Sequence, residues 1–423
     1  MILLAAVGSS PAHAEPGAKP QADHIPVVRI EEAAEGYRLL RDGEPFWIRG
    51  AGGVDHLARL RAAGGNSVRT WGTDQTEQVL DRAHELGLTV LAGIWIEHER
   101  HGFDYGDEEA VAAQIARHRA DVDRFKDHPA ILMWGVGNEV SIDSTDPRVW
   151  DTIEAVAAYI KKEDTARPVM TVLPHVSAGE IELVRERCPS IDLLGFNTYR
   201  GIDSIAADAR RAGWEGPYII AEWGPDGAWE ADETPWGAEI EPTTSAKAAQ
   251  RGLRYTRILR EPACLGSYVF YWGQKQETTP TWFNLFLEND AALECVEVMQ
   301  YLWTGQFPAH RAPAIGPLRL EGQGPESGLI VAPGASLQAE FCLLRGDLEA
   351  MDVRWELLPE SQHKGIGGDL EERPAPVALR TETAHPSSLH FRAPTAPGPY
   401  RLFVYVENAH RQAASANFPF LVE

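Results

Sequence analysis

The feature that most constrains the fold is a unit that recurs from Phe46 to about residue 304. Each unit is a short apolar segment, a loop, and then an amphipathic segment with helical periodicity. The apolar segments are typical of buried parallel strands, which are short and nearly continuously apolar. The predicted strands are Phe46–Gly50, Ser67–Thr70, Thr89–Ile94, Ile131–Val136, Val169–Leu173, Ile191–Phe196, Tyr218–Ala221 and Gly266–Tyr271.

The segments between these strands carry start and stop signals for helices. Asp74 and Glu77 have capping-box spacing, and Gly87 stands where that helix should end. Eight strand–helix units over about 260 residues match the size of a (β/α)8 barrel. A doubly wound open sheet is the alternative fold, but it requires a glycine-rich phosphate-binding turn that we do not find in the sequence. We therefore predict an α/β chain whose barrel spans residues 46–307.

Two further regions flank the predicted barrel. Residues 15–45 read as a polar spacer and a hairpin, because Val27–Trp47 alternates apolar and polar residues around Arg41-Asp42-Gly43. Residues 313–423 lack helical periodicity and contain short alternating segments between Gly/Pro turns, which predicts a small immunoglobulin-like β-sandwich. We expect no catalytic groups in this sandwich, because its strand ends carry no carboxylate cluster.

The first 14 residues are similar to the end of a secretory signal peptide. A short apolar stretch precedes Ala12-His13-Ala14, a small-residue cleavage pattern, although a basic leading region is missing. We expect a secreted or periplasmic protein whose start codon is assigned too late. No later run reaches the roughly 20 apolar residues that a membrane-spanning helix needs.

Charge and cysteine content narrow the classes of partner and site. With 39 basic and 62 acidic residues the net charge is −23, which disfavours nucleic acid and anionic membranes. A neutral or sugar-like substrate fits better. The four cysteines are far apart without a Cys-x-x-Cys pair, which argues against a zinc site. They are either buried free thiols or, outside the cell, a disulfide.

Two strands end in a carboxylate. Ile131–Val136 leads into Asn138-Glu139, and Tyr218–Ala221 leads into Glu222. These are predicted strands 4 and 7, whose carboxyl ends open on the same rim of a barrel. Two convergent carboxylates without metal-binding histidines indicate glycoside hydrolysis, in which one carboxyl protonates the leaving oxygen and the other attacks or activates water. The alternative is two unrelated glutamates that cap loops.

The segments His128–Glu139, Asp192–Tyr199 and Glu222–Gly224 resemble the retaining glycoside hydrolases of the (β/α)8 clan, whose acid/base and nucleophile lie on strands 4 and 7. The nearest likeness is to the catalytic barrel of glycoside hydrolase family 2, and family 5 is also similar. The resemblance implies that Glu139 is the general acid/base, that Glu222 is the nucleophile, and that Asn138 binds the sugar 2-hydroxyl. Family 2 enzymes carry large sandwich domains before the barrel, whereas in this sequence, beyond the signal-like segment, about 30 residues precede the predicted barrel and a sandwich is expected after it, so sugar specificity does not transfer.

Other residues at the strand ends have predicted supporting roles. Arg69 places a cation beside Glu222, Tyr199 donates a phenol hydrogen bond to it, and Trp272 offers a ring face to the sugar. The alternatives are a surface arginine, a packing tyrosine and a core tryptophan. The remaining predicted substrate-binding residues are Trp95, His98, Asn197 and Trp223.

The sequence thus predicts a retaining glycoside hydrolase that cleaves a β-glucoside, β-glucan or related oligosaccharide by double displacement through two glutamates. The mechanism requires no cofactor. A transglycosylase with the same covalent intermediate is one alternative, and a non-catalytic carbohydrate-binding barrel is another. Sugar identity, linkage, endo or exo action and oligomeric state stay open.

Overall fold

The computed structural model describes residues 24–423, so the predicted signal segment and the first part of the spacer lie outside the described residues. Its centre is a closed barrel of eight parallel strands in sequential order, with the eighth strand paired to the first. This confirms the predicted (β/α)8 barrel. The strands are β1 Ile48–Gly52, β2 Ser67–Arg69, β3 Thr89–Ile94, β4 Ile131–Asn138, β5 Val169–Leu173, β6 Leu193–Asn197, β7 Tyr218–Trp223 and β8 Cys264–Val269.

A helix follows each barrel strand. The helices are α1 Leu57–Ala62, α2 Thr76–Leu86, α3 Glu108–Phe125, α4 Arg148–Glu163, α5 Ala178–Arg187, α6 Ile205–Arg211, α7 Thr244–Ile258 and α8 Glu294–Thr304. Gly87 ends α2 in the left-handed conformation, as predicted. The capping box predicted from Asp74 and Glu77 is wrong, because α2 begins one residue later, after Gln75, whose side chain makes no capping hydrogen bond.

A small antiparallel sheet closes the amino end of the barrel. Its strands are Val28–Ala33, Gly36–Arg41 and Glu44–Pro45. Val28 and Leu39 are buried in one cluster with Leu132 and Met133 from the barrel interior. The backbone N–H of Val28 donates to the carbonyl of Ala166, just before β5, at 2.7 Å. The predicted hairpin therefore forms the floor of the barrel.

The C-terminal region contains two main β-sheets that face each other. One pairs Arg319–Leu320, Ser336–Glu340, Ser388–Arg392 and Arg380–His385 in that order. The other pairs Ala292–Leu293, Gln412–Val422, Gly398–Glu407 and Asp352–Pro359, with Ile330–Val331 also on Gln412–Val422. A two-stranded sheet joins Ala314–Ile315 to Leu343–Arg345. The rings of Phe391 and Phe420, one from each main sheet, lie 6.4 Å apart in the core between them. An immunoglobulin-like topology for this region stays a prediction.

The barrel and the C-terminal region meet at a buried carboxylate, Glu241, in the loop after β7. It accepts hydrogen bonds from Lys247 of α7 at 2.6 Å and from Asn417 of the C-terminal sheet at 2.6 Å. The hydroxyls of Thr279 and Thr281, in the loop after β8, also donate to it. One carboxylate thus holds two rim loops, a helix and the C-terminal sheet in a fixed relation.

Two further features of the described residues are the apolar character of the helices and the pairing state of the cysteines. Among residues 24–423, no helix has both the length and the apolar character needed to cross a membrane. The four cysteines are unpaired, and Cys188, Cys264 and Cys295 are buried. Of the two alternatives that the sequence left open, the structure therefore has free thiols.

Candidate active site

A cavity of about 920 Å³ lies at the carboxyl ends of the barrel strands. Both predicted catalytic residues line it, together with Asn138, Asn197 and Tyr199. This is the rim on which (β/α)8 barrels carry their active sites. The two carboxylates therefore share one cavity at the rim of the barrel.

Three donors converge on the carboxylate of Glu222, which lies within β7. Arg69 at the end of β2 donates to Oε1 at 2.8 Å. The indole Nε1 of Trp71 donates to the same oxygen at 2.7 Å, and the hydroxyl of Tyr199 donates to Oε2 at 3.1 Å. These three hydrogen bonds, one of them from a cation, fix the orientation of the Glu222 carboxylate.

Glu139 has a different environment, although it lines the same cavity. It follows β4 directly in a left-handed backbone conformation, with φ 53°, and its N–H donates to the carbonyl of Val172 at 2.9 Å. Its Oε1 accepts one hydrogen bond, from Asn197 Nδ2, at 2.7 Å. Burial, and after it the charge of Glu222, raise the pKa of Glu139 to about 7. Near neutral pH, this carboxyl can give up a proton.

Asn138 and Asn197 connect the two carboxyl environments. Asn138 Oδ1 accepts from Arg69 Nη2 at 2.6 Å and from Asn197 Nδ2 at 3.3 Å. Arg69 Nη1 also lies 3.4 Å from Asn197 Oδ1. All three side chains are buried, so the network fixes the rotamers of the residues on which both glutamates depend.

Trp95 lines the cavity, and the ring of His98 stacks on the ring of Trp95. The two rings are parallel, with centroids 4.6 Å apart, and His98 is almost fully buried. Burial, and then the charge of Arg100, lower the pKa of His98 to about 4, so the stacked imidazole is neutral. The structure thus places Trp95 where it can contact a sugar and His98 where it orients Trp95.

Three predicted substrate contacts are corrected by the structure: His98, which is buried against Trp95 and does not line the cavity, and two tryptophans. Trp272 and Trp223 are fully buried outside the cavity lining. The ring of Trp272 packs on Trp303 of α8, and Trp223 stacks on Tyr255 of α7 at 5.8 Å. Trp272 therefore fills core, which was its alternative reading, and Trp223 does the same. Phe270 and Tyr271 line the cavity at the end of β8 instead.

The sequence reasoning also missed residues that line the cavity. Trp71 lies two positions after Arg69, which ends β2. This position just past a barrel strand indicates a residue near the rim, so Trp71 could have been predicted to line the cavity. Glu277, in the loop after β8, is a further carboxyl of the lining; it is partly buried, and desolvation raises its pKa. Residues 364–369 and Glu371 reach the cavity from the C-terminal region, which the sequence analysis did not predict to line the site.

No group of three His, Cys, Asp or Glu side chains among residues 24–423 is arranged to hold a metal ion. The site is defined by two carboxyls in contrasting environments at the ends of strands 4 and 7 of a (β/α)8 barrel. A pair of carboxyl groups of this kind is the arrangement that glycoside hydrolases use.

Comparison with known proteins identifies the family that the barrel resembles. Residues 54–228 match the family model described as "Glycosyl hydrolases family 2, TIM barrel domain". The prediction of a family 2-like (β/α)8 barrel is confirmed by this match.

Among curated proteins, the chain is similar to the β-glucuronidase of Homo sapiens, with 24% identity over 196 residues. That alignment covers 41% of this chain and 28% of the relative. A β-galactosidase from Arthrobacter sp. (strain B7) is 30% identical over 123 residues, which are 27% of this chain and 11% of the relative. The alignments thus span well under a third of the length of these relatives.

Two solved structures share the fold. A β-D-glucuronidase from Dictyoglomus thermophilum superposes with a TM-score of 0.53 at 18% identity, covering 67% of this chain and 54% of that chain. The β-glucuronidase of Ruminococcus gnavus gives a TM-score of 0.51 at 15% identity, covering 67% and 53%. At these identities the similarity establishes the fold alone.

Proposed function

We propose that the protein is a retaining β-glycosidase in which Glu222 is the nucleophile and Glu139 the general acid/base. The observation that carries this proposal is the contrast between the two carboxyls. Glu222 is surrounded by three donors, whereas Glu139 is buried with one neutral donor and a pKa of about 7. Retaining hydrolysis needs this division, since one carboxyl must start ionised and the other protonated.

The mechanism follows from these states. Glu222 attacks the anomeric carbon while Glu139 donates its proton to the leaving oxygen, which gives a covalent glycosyl-enzyme. Glu139, now ionised, removes a proton from water, which attacks the same carbon and releases Glu222. Asn138, held by Arg69, is placed to bond the sugar 2-hydroxyl, as the family resemblance implies.

The charge of the cavity favours a neutral sugar over a uronate, although several relatives are β-glucuronidases. Seven carboxyl groups line the cavity: Glu139, Glu222, Glu230, Glu239, Glu277, Asp369 and Glu371. The lysines of the lining, Lys275 and Lys364, are already paired, with Glu277 and Glu239 respectively. A substrate carboxylate would meet repulsion without an unpaired lysine among the described lining residues, so we propose a neutral β-glycoside such as a β-glucoside.

A panel of 4-nitrophenyl β-glucoside, β-galactoside and β-glucuronide tests the sugar. We expect kcat/KM for at least one neutral glycoside to exceed that for the glucuronide by tenfold or more. A preference for the glucuronide would contradict the charge argument while leaving the proposed reaction intact. Product analysis on a soluble β-glucan separates hydrolysis from transglycosylation, which would yield longer oligosaccharides from the same intermediate.

Substitution of the two glutamates tests the roles. Glu222→Gln should abolish turnover with every leaving group. Glu139→Ala should reduce turnover of a poor leaving group far more than that of 2,4-dinitrophenol, which needs little protonation. Glu85→Gln, on the exposed face of α2, is the matched control and should change neither.

Further outcomes would overturn the proposal. The first product seen by NMR must have the β configuration, and an α product would contradict retention. If no β-glycoside is turned over but the protein binds oligosaccharides, the non-catalytic alternative holds. Export, which we propose from Ala12-His13-Ala14, is tested separately by determining the mature N-terminus.

A further inference from the structure

The strongest unexplained feature is a segment of the C-terminal region that enters the active site. It belongs to the long connection between Asp352–Pro359 and Arg380–His385, which lie in different sheets. We call residues 364–371 the wall segment. Long connections without regular structure are uncommon inside compact folds and usually carry function.

Three ionic or hydrogen-bonded anchors hold the wall segment on the barrel rim. Asp369 pairs with Arg100 at 3.0 Å and with His101 at 3.0 Å, in the loop after β3. Lys364 pairs with Glu239, in the loop after β7.

The third anchor is the side chain of Glu371, which is buried against the loop after β8. Its Oε2 accepts from the backbone N–H of Thr278 at 2.7 Å, and its Oε1 accepts from that of Gly365 at 2.9 Å. Lys275 Nζ also donates to the carbonyl of Gly368 at 3.2 Å. Since the anchors engage three loops of the rim, those after β3, β7 and β8, the position of the wall segment is defined.

Gly367 brings the wall segment against the acid/base. A Cβ at this position would lie 3.2 Å from Oε2 of Glu139, 3.1 Å from Arg100 Nη2 and 3.3 Å from Ile142 Cδ1. Its φ of 59° is in the left-handed region. The conformation therefore favours glycine, and a larger residue would push the neighbouring side chains aside by a few tenths of an ångström.

The side of the cavity next to Glu139 is the side on which the leaving group must lie, because the general acid protonates the leaving oxygen. We propose that the wall segment forms the leaving-group subsite of the enzyme and restricts it to compact leaving groups. This inference rests on the proposed glycosidase function. It makes the site composite, with the catalytic carboxyls on the barrel and the wall of the leaving-group subsite on the C-terminal region.

Phenyl and 4-phenylphenyl β-glycosides of the preferred sugar test this, since their phenols are similar in acidity but differ in length. Replacement of residues 363–370 by a short Gly-Ser link leaves the flanking strands intact. We expect this change to raise the ratio of kcat/KM for the long aglycone to that for the short one by at least tenfold. The basic limb of the pH–rate profile should move to lower pH, because water gains access to Glu139.

A pair of glycine substitutions gives a second, independent test. Gly367→Ala places a methyl group beside Glu139 and should lower the same ratio at least threefold. Gly334→Ala is the matched control: its φ is 71°, but a Cβ there meets nothing nearer than Thr395 at 3.9 Å. It should leave the ratio within twofold of the parent value. If the replaced loop fails to fold, as judged by circular dichroism, the glycine pair decides.

Failure of this inference can be distinguished from failure of the proposed function. A parent protein that turns over both phenyl glycosides, with a ratio unchanged within twofold in the loop replacement and in Gly367→Ala, would overturn the leaving-group subsite alone. A parent protein that turns over no β-glycoside would overturn the proposed function and this inference with it.

Discussion

Substituting Glu139 by glutamine should make the folded protein more stable above pH 7 and remove its acid/base. The ordinary pKa of a glutamate, 4.5, applies to the unfolded chain, whereas burial and Glu222 raise that of Glu139 to about 7 in the folded protein. This difference corresponds to about 3 kcal/mol, at about 1.4 kcal/mol for each tenfold change in proton affinity.

The sign follows from proton binding. A carboxyl whose pKa is raised on folding favours the folded state fully below pH 4.5, and this contribution is lost as the pH rises through about 7. Glutamine does not ionise, so Glu139→Gln avoids the loss. The free energy of unfolding of the variant, relative to the parent, should therefore increase by up to about 3 kcal/mol between pH 4.5 and pH 8.5.

Differential scanning calorimetry from pH 4.5 to pH 8.5 measures this effect as a difference in melting temperature that widens with pH. The hydrogen bond that Asn197 donates favours the ionised carboxylate, and this effect is already included in the pKa of about 7, so it adds no separate pH dependence. Glu85→Gln, which removes an exposed carboxyl, should show no such widening. A difference between Glu139→Gln and the parent that stays constant, or narrows above pH 7, would refute a buried neutral acid at this position.

Three other substitutions have distinct expected outcomes. Tyr199→Phe removes one of three donors to Glu222 and should lower kcat/KM about 10- to 100-fold, given about 1.5–3 kcal/mol for a hydrogen bond to a charged group; a change under twofold would contradict that role. Arg69→Met leaves Glu222 without its cation, which donates at 2.8 Å, and should lower kcat/KM about 10- to 100-fold in steady-state assays, given about 1.5–3 kcal/mol for a hydrogen bond to a charged group; a change under twofold would count against the ion pair. Lys247→Met leaves Glu241 charged and unpaired and should cost about 3–5 kcal/mol of stability, measured by thermal unfolding, while kcat/KM of the folded enzyme stays within threefold. An unchanged melting temperature would refute the importance of the Lys247–Glu241 pair.

The sequence predicts the barrel well because each barrel strand can be recognised from its own residues, without knowledge of its neighbours in space. Thr89–Ile94 and Val169–Leu173 are predicted with the bounds that the structure has, since each is an apolar run between polar loops. The same argument places Glu139 and Glu222 on one rim, because strand order in a (β/α)8 barrel leaves no freedom about which ends meet.

Side-chain direction at the strand ends is predicted less well. From their positions in the sequence, Trp272 and Trp223 are predicted to contact the sugar. In the structure their side chains are instead buried in the layer between strands and helices. Whether a residue just past a strand faces the cavity or the helices depends on the local path of the backbone, which residue types do not specify. Trp71 and Tyr271 have the same kind of position and face the cavity.

The wall segment lies beyond sequence reasoning for a different reason. Asp369 and Arg100 are 269 positions apart, so no periodicity or motif connects them. The Gly365-Ile366-Gly367-Gly368 sequence marks a loop but does not say where the loop goes. Only the packing of the C-terminal sheets on the barrel, fixed at Glu241, brings this loop to Glu139.

The sheet at the amino end of the barrel has a consequence for the order of events in turnover. With Val28 and Leu39 packed under the barrel interior, the described chain leaves the rim as the route to Glu222. All molecules that enter or leave the site then pass through the same opening, one after another. These are the substrate, the departing aglycone, the incoming water and the released sugar. Water cannot reach the covalent intermediate until the aglycone has moved aside, and the released sugar occupies the space that the next substrate needs. Product should therefore compete with substrate for the empty enzyme, and slow aglycone departure should lengthen the life of the intermediate.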